Sequence, residues 1–260
     1  MAKRIIAGTR VILTGASSGI GRALAHALVD AGARVVGLAW SEAKLLTLAE
    51  ELKSSAGQFL PLAGDVTQPE ARAAALRLAQ AEFGGLDLLI NNAGIGARGR
   101  FDAAQADRLR RIMEVNFFAA AELIREALPM LRQGARPMIV NVGSILGHRG
   151  IPRMSEYCAS KFALQGFSQS LRPELARTGI DVLVVSPGTT ATDFFSHALE
   201  HEPSPWPEQR GVPAELVARR TLRAIERGRR EILINPRGRL LVLLNRLAPG
   251  MVDRFLARYG

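Results

Sequence analysis

Tyr157 and Lys161 stand four residues apart in a stretch with helical spacing, so their side chains share one face of a helix. A free phenol ionises at about pH 10, too high for ready proton exchange near neutrality. An ammonium within about 4–6 Å favours the phenolate and lowers that value. A pair placed in this way is an acid–base device. Ser144, at the end of an apolar run, adds a hydroxyl that could hold a substrate oxygen. Taken alone, Tyr-x-x-x-Lys is a common surface pattern, and that reading would prevail. Cys158, beside Tyr157, has no histidine near it in sequence, which suits a small buried thiol better than a nucleophile.

A second group could hold a nucleotide. Gly15, Ser17, Ser18, Gly19, Ile20 and Gly21 lie between the apolar run Val11-Ile12-Leu13 and a helical pattern carried by Ile20, Leu24, Ala27 and Leu28. Gly15 permits a turn that a Cβ would obstruct, and Gly19 and Gly21 permit close approach. The first N–H groups of the helix point at whatever sits in the loop, and a pyrophosphate fits there. A glycine-rich turn of no special function gives the same triplet; the strand before it, the helix after it and its early position favour the nucleotide.

About 20 residues past such a loop, an NAD site usually carries an acid for the ribose hydroxyls. Here the chain reads Leu38-Ala39-Trp40-Ser41. Trp40 could cover an adenine face or shield the sheet edge. The missing acid predicts NADP rather than NAD, with Ser41 donating to a 2′-phosphate and Arg22 or Lys44 supplying charge; Glu42 reaching a 2′-hydroxyl is the alternative. Asp65, followed by Val66, could accept from an adenine amino group or serve only the turn before Pro69-Glu70. Asn92, Ala93 and Gly94 could run beside a cofactor or stitch adjacent loops together.

These residues need a frame. Apolar, β-rich runs at 10–14, 34–39, 58–62, 86–91, 138–143, 181–186 and 231–234 alternate with helical patterns near 20–31, 42–54, 69–83, 102–132, 156–177 and 213–227. Several runs are continuously apolar, as in strands covered on both faces. The alternation predicts an α/β fold with a doubly wound parallel sheet. No linker or repeat divides it, so residues 1–237 read as one dinucleotide-binding and catalytic domain and residues 238–260 as a C-terminal extension.

Composition narrows the class. The 260 residues are 48% hydrophobic and 22% charged, enough for a core and unlike a disordered chain. A single Cys excludes a disulfide framework and a Cys-based metal site, and His26, His148, His197 and His201 are too scattered for metal ligation, so no metal is expected. The apolar run after Met1-Ala2-Lys3-Arg4 is too short for a signal peptide, and no run approaches the roughly 20 residues of a membrane span; a cytoplasmic protein is expected. The net charge of +10 raises nucleic-acid binding. No zinc-finger spacing or RNA-binding aromatic motif accompanies it. Residues 219–260 hold eleven Arg against Glu226, Glu231 and Asp253, an excess of eight, so most of the charge belongs to the C-terminal region. No nucleic-acid partner is expected.

The set Thr14-Gly15-Ala16-Ser17-Ser18-Gly19-Ile20-Gly21, Asn91-Asn92-Ala93-Gly94, Asn116, Ser144, Tyr157-x-x-x-Lys161 and Pro187-Gly188, in order and at suitable spacing, resembles the short-chain dehydrogenase/reductase family over residues 8–235. The resemblance implies a single Rossmann-type domain with seven parallel strands flanked by helices. It implies Tyr157 as general acid/base, Lys161 holding the nicotinamide ribose and depressing the Tyr157 pKa, Ser144 orienting the carbonyl, and Asn116 supporting a proton-relay water. It extends the cofactor contacts to Pro187, Gly188, Thr190 and Thr192. The implied activity is NAD(P)-dependent interconversion of a secondary alcohol and a ketone. A 3-oxoacyl-thioester reductase and a catalytically silent nucleotide-binding regulator are the alternatives, the intact tetrad arguing against the second.

Residues 189–212, rich in Pro and aromatics (Phe194, Phe195, Trp206), follow a strand end and read as a substrate lid, suited to a small apolar carbonyl or alcohol substrate. A homo-oligomer, dimer or tetramer, is expected, with Phe117, Phe118, Phe162 and Phe167 facing a partner or packing on the sheet. In the extension, Leu240, Leu243, Leu244 and Leu247 recur at helical spacing, Pro249-Gly250 interrupts, and Met251, Val252, Phe255, Leu256 and Tyr259 resume. Two short amphipathic helices with Arg-rich polar sides suit either docking on protein or peripheral contact with a membrane.

Overall fold

The computed structural model describes residues 3–194, 198–200, 202–203 and 211–259. The strands β1 (Arg10–Thr14), β2 (Arg34–Ala39), β3 (Gln58–Ala63), β4 (Leu88–Asn91), β5 (Met138–Val142) and β6 (Asp181–Ser186) fall on the apolar runs. A two-residue pairing of β7 (Thr190–Ala191) with β8 (Val212–Pro213) follows, and β9 (Glu231–Leu233) completes the main sheet. All seven main strands are parallel, in the order β3-β2-β1-β4-β5-β6-β9. Every carboxyl end therefore lies at one edge, and the order reverses between β1 and β4, which opens a crevice there.

Side chains alternate along each strand and fill two cores. Val11, Leu13, Leu88, Ile90, Val140 and Val185 point to one face, where α1 (Gly19–Asp30), α2 (Glu42–Leu52) and, later in the chain, a helix over Ala214–Glu226 cover them. Ile12, Leu89, Ile139 and Val182 point to the other, under α3 (Pro69–Phe83) and two further helices, Ala119–Leu131 and Ser155–Leu175. Burial on both faces is why these runs read as continuously apolar.

The helix expected over 102–132 is broken into parts. It starts only at α4 (Arg108–Met113), passes through a π-helical turn at Glu114–Phe118 and continues as α5 (Ala119–Leu131). Helix α6 spans Ser155–Leu175, and α7 spans Ala214–Glu226. The chain ends in α8 (Pro236–Leu247) and α9 (Pro249–Leu256). Among the described residues, no helix is long and apolar enough to cross a membrane.

Candidate active site

The glycine loop is built by close approach. Gly15 has φ +67°, and a Cβ on it would lie 2.9 Å from the Ala93 Cα. A Cβ on Gly21 would lie 2.0 Å from the Gly15 carbonyl oxygen, so the helix start is pressed against the turn. Gly19, at φ +50°, faces Thr192, which brings the chain after β6 across the loop. Ser18 occupies the N-cap of α1 without a side-chain cap bond, and the first turn carries no acid. Amide donors and a positive helix end thus face the loop unopposed, which fits a diphosphate. Ser17 is half-buried and Ser18 exposed.

Asn92 takes the stitching role. Its Nδ2 donates to the carbonyls of Thr14 at 3.0 Å and Gly15 at 3.2 Å, while Thr14 Oγ1 accepts from the Asn92 and Ala93 amides, both at 3.0 Å. The β1 and β4 loops are thereby locked side by side at the crevice. Asp65 serves its turn, its Oδ1 accepting from the Thr67 amide at 2.9 Å, with Val66 buried beside it. Trp40 is 82% exposed and shields no sheet edge, leaving its indole open to a planar ligand. Ser41 caps α2 by accepting from the Lys44 amide at 3.4 Å. Its hydroxyl proton remains available to an acceptor. Arg22 is paired with Glu51, so of the two charges weighed near that site Lys44, exposed, is the more available.

Asn116 sits within the π turn, a geometry found at functional sites. Its Nδ2 donates to the Ile95 carbonyl at 3.0 Å and Ser160 Oγ at 2.9 Å, and its Oδ1 accepts from the Ile95 amide at 2.8 Å. Both amide hydrogens are thus committed to clasping the loop after β4 to α6. Gly94 passes between Asn116 and Lys161: a Cβ there would lie 3.1 Å from Asn116 Oδ1 and 3.6 Å from Lys161 Nζ.

Ser144, directly after β5, caps a 3-10 turn at Ile145–Gly147 through a 3.1 Å bond from the Leu146 amide, and it hydrogen-bonds Tyr157. Lys161 Nζ donates to the Val142 carbonyl at 3.1 Å and lies 5.8 Å from the Tyr157 ring centre. An ammonium has three hydrogens, so donors remain for the hydroxyls of a ribose. Tyr157, Lys161, Ser144 and Asn116 are all buried at the carboxyl edge of the sheet, around the strand ends expected from the spacing.

One expectation is corrected. Lys161 was expected to depress the Tyr157 pKa, yet Tyr157 is pushed up to about 12. Burial disfavours the phenolate more than the Ser144 hydrogen bond favours it. The same burial pushes Lys161 down to about 8. Cys158 is buried, and burial pushes its thiol up, as suits an inert packing residue.

After β6, Pro187 is buried and its carbonyl accepts from the Ile145 amide at 2.9 Å. Gly188 lets the chain pass Asn235, whose Cβ would be 2.7 Å from a Cβ there, and Thr190 Oγ1 donates to the Gly188 carbonyl at 3.1 Å. Phe194 packs edge-on against Tyr157, ring centres 5.9 Å apart. Of the expected lid, Phe195, His197, His201, Pro205, Trp206 and Pro207 lie outside the described residues.

Spacing alone missed an ion cluster that ties Glu200 to α4 and α6. Arg108, fully buried, donates through Nε and Nη2 to Glu156 Oε1 at 2.9 and 2.6 Å and is paired through Nη1 with Glu200. Glu156 adjoins Tyr157. The backbone of residues 199–200 also pairs with the loop after β4, Leu199 donating to Gly96 and Arg98 to Glu200. The available signal was only an Arg opening one helix and a Glu in the first turn of another, too common to single out. A buried Asn91–Asn141–Ser168 chain likewise ties β4 and β5 to α6.

The sequence model of the short chain dehydrogenase family matches residues 9–203. The chain is 33% identical to the bovine dehydrogenase/reductase SDR family member 7B over 259 residues, covering 95% of this chain and 80% of that protein. It is 35% identical to the 3-oxoacyl-[acyl-carrier-protein] reductase FabG of Salmonella typhimurium over 213 residues, 82% of this chain and 84% of that one. A crystal structure of a short chain dehydrogenase/reductase from Burkholderia phymatum in complex with NAD superposes with a TM-score of 0.87 at 26% identity, covering 95% and 96% of the two chains.

Proposed function

Since the chain belongs to the short-chain dehydrogenase/reductase family of NAD(P)-dependent oxidoreductases, we propose that it interconverts a secondary alcohol and a ketone on an apolar substrate, with Tyr157 as the general acid/base. The observation that carries this reading is the buried Tyr157 hydroxyl, hydrogen-bonded to Ser144 and flanked by the Lys161 ammonium. Bound nicotinamide supplies or accepts the hydride. Ser144 holds the substrate oxygen. Tyr157, kept protonated by burial, donates its proton to that oxygen, and Lys161 then stabilises the phenolate left behind. A protonated phenol beside a cation suits the reductive direction. Asn116 holds the loop wall, and any relay water it serves is held through atoms other than its committed amide hydrogens. Phe194 against Tyr157 supplies an apolar wall for the substrate.

NADP is the preferred cofactor in this reading. No acid ends β2, and Ser41 and Lys44 stand at its end to receive a 2′-phosphate. The protein acts as a homo-oligomer through α5 and α6. Phe118, in the π turn just before α5, and Phe162 on α6 are about half exposed, whereas Phe117 packs on Phe167. Reduction of a 3-oxoacyl thioester is the second reading, favoured by the 35% identity to FabG. A panel of lipophilic ketones, alcohols and a 3-oxoacyl thioester with each nucleotide, followed by nicotinamide absorbance, tests both. Turnover of a ketone, faster with NADPH, is the expected result. No turnover of any carbonyl would leave a silent nucleotide binder instead.

A further inference from the structure

The C-terminal helices have two apolar faces, and the domain uses only one. Val242, Val252 and Leu256 are buried, with α8 and α9 packed on each other and α8 on β9 and the turn after Ser144. Gly238 passes so close to Ile145 that a Cβ would lie 2.6 Å from its Cγ1, which places α8 next to the turn that follows Ser144. Arg149 clamps both helices, donating to Asn245 Oδ1 at 3.0 Å and pairing with Asp253. The expectation that the extension docks on protein is therefore met along this face.

The opposite face is uncovered. Leu240, Leu243, Leu244 and Leu247 on α8 and Met251 and Phe255 on α9 are 42–75% exposed. The four leucines follow the i, i+3, i+4, i+7 spacing of a single stripe. On the helix wheel, Arg239 and Arg246 border that stripe on one side and Arg237 on the other. Arg254 on α9 and Arg258 in the 3-10 turn after it continue the basic rim, and both are exposed. A groove beside the stripe is lined by Arg220, Arg223, Arg227 and Arg229 together with Arg239 and a single acid, Glu231, so the groove is strongly basic on balance and shares a residue with the rim.

We propose that this outer face is a docking surface for an anionic lipid bilayer, with the Leu/Met/Phe stripe lying in the interface and the arginines on headgroup phosphates. Charge selects this partner over a second copy of the chain. The only carboxylate in 236–259 is Asp253, already held by Arg149, so a copy packed stripe to stripe would set guanidinium rims together without acids to answer them. An apolar stripe rimmed by arginine has the form of an in-plane interfacial helix. Docked so, α8 holds the Ser144 turn close to the bilayer, where an apolar substrate partitions. This surface does not rest on the reaction proposed above.

The test is co-sedimentation of the full chain with vesicles of three parts phosphatidylcholine to one part phosphatidylserine, with pure phosphatidylcholine as the comparison. Binding is expected to the anionic vesicles at low salt and to fade at high salt. Each arginine near an anionic surface strengthens binding by about fivefold, so Arg254→Gln with Arg258→Gln should weaken it about 25-fold. Replacing the exposed Leu243, Leu247 and Met251 by Ser should abolish it while the circular dichroism spectrum and the vesicle-free mass stay unchanged. Failure of the full chain to bind the anionic vesicles at low salt overturns the proposal, as does undiminished binding by the serine variant. A halved mass for that variant in light scattering also overturns it, since the stripe would then be an interface between copies.

Discussion

Arg108→Leu removes the centre of the buried ion cluster and leaves the Glu156 carboxylate without its cation at a site 4% exposed. A buried carboxylate stripped of its partner costs about 3–5 kcal/mol. Unfolding entropy of about 2.1 cal/mol/K per residue makes that a loss of about 5–9 °C in melting temperature for this chain. Glu156→Leu should cost less, because Arg108 keeps Glu200. The double variant should recover part of the loss, since no unpaired buried charge remains and Glu200 is a quarter exposed. Coupling between Arg108 and Glu156 of about 2–3 kcal/mol is expected from the cycle. Melting followed by circular dichroism on the four proteins gives these values directly. With Glu200 released, the segment it anchors should loosen and KM should rise in both Arg108 variants. An Arg108→Leu protein within about 1 kcal/mol of the parent, or a double variant as costly as the two singles added together, refutes the reasoning.

Tyr157→Phe should lower kcat by at least about 10²–10⁴-fold while nucleotide titration is unchanged; near-normal turnover removes the phenol from the mechanism. Lys161 is held at about 8 when folded, below its ordinary 10.5, so the unfolded chain binds the extra proton between those values. Folding is therefore penalised below about pH 8 and relieved as pH rises through the window. Lys161→Met should raise the melting temperature at pH 7, with the gap closing by about pH 10.5, and abolish turnover; a lower melting temperature at pH 7 would contradict the burial argument. In the parent, reductive kcat/KM should fall above about pH 8 as the ammonium is lost. Gly21→Ala sets a Cβ 2.0 Å from the Gly15 carbonyl oxygen. The resulting overpacking, about 1–3 kcal/mol, should weaken NADPH binding by calorimetry far more than it alters the far-ultraviolet spectrum; unchanged affinity would mean that the loop shape does not hold the diphosphate.

The amino-acid sequence by itself determined what depends on neighbours along the chain. The apolar, β-rich runs located all seven main strands to within a residue or two; in the central ones, β1, β2, β4, β5 and β6, burial on both faces leaves little room for polar alternation, while β3 and β9 at the sheet edges are only partly buried. The glycine loop and the Tyr157/Lys161 face were legible for the same reason: each is set by backbone freedom or helical pitch over a few residues. Only the tertiary structure decided what depends on distant groups meeting. The π turn at Asn116 interrupts a pattern that reads as one helix, and its clasp joins residues 95, 116 and 160. The Arg108–Glu156–Glu200 cluster spans 92 positions of chain. The pKa of Tyr157 went up because burial, which spacing does not report, outweighs its hydrogen bond. The tail's periodicity announced two amphipathic helices, but which face the domain covers was set by Ile145, Arg149 and the buried Val242, Val252 and Leu256. Local pitch is written in consecutive residues; desolvation and pairing are properties of the enclosed volume, and they exist only once the chain has folded.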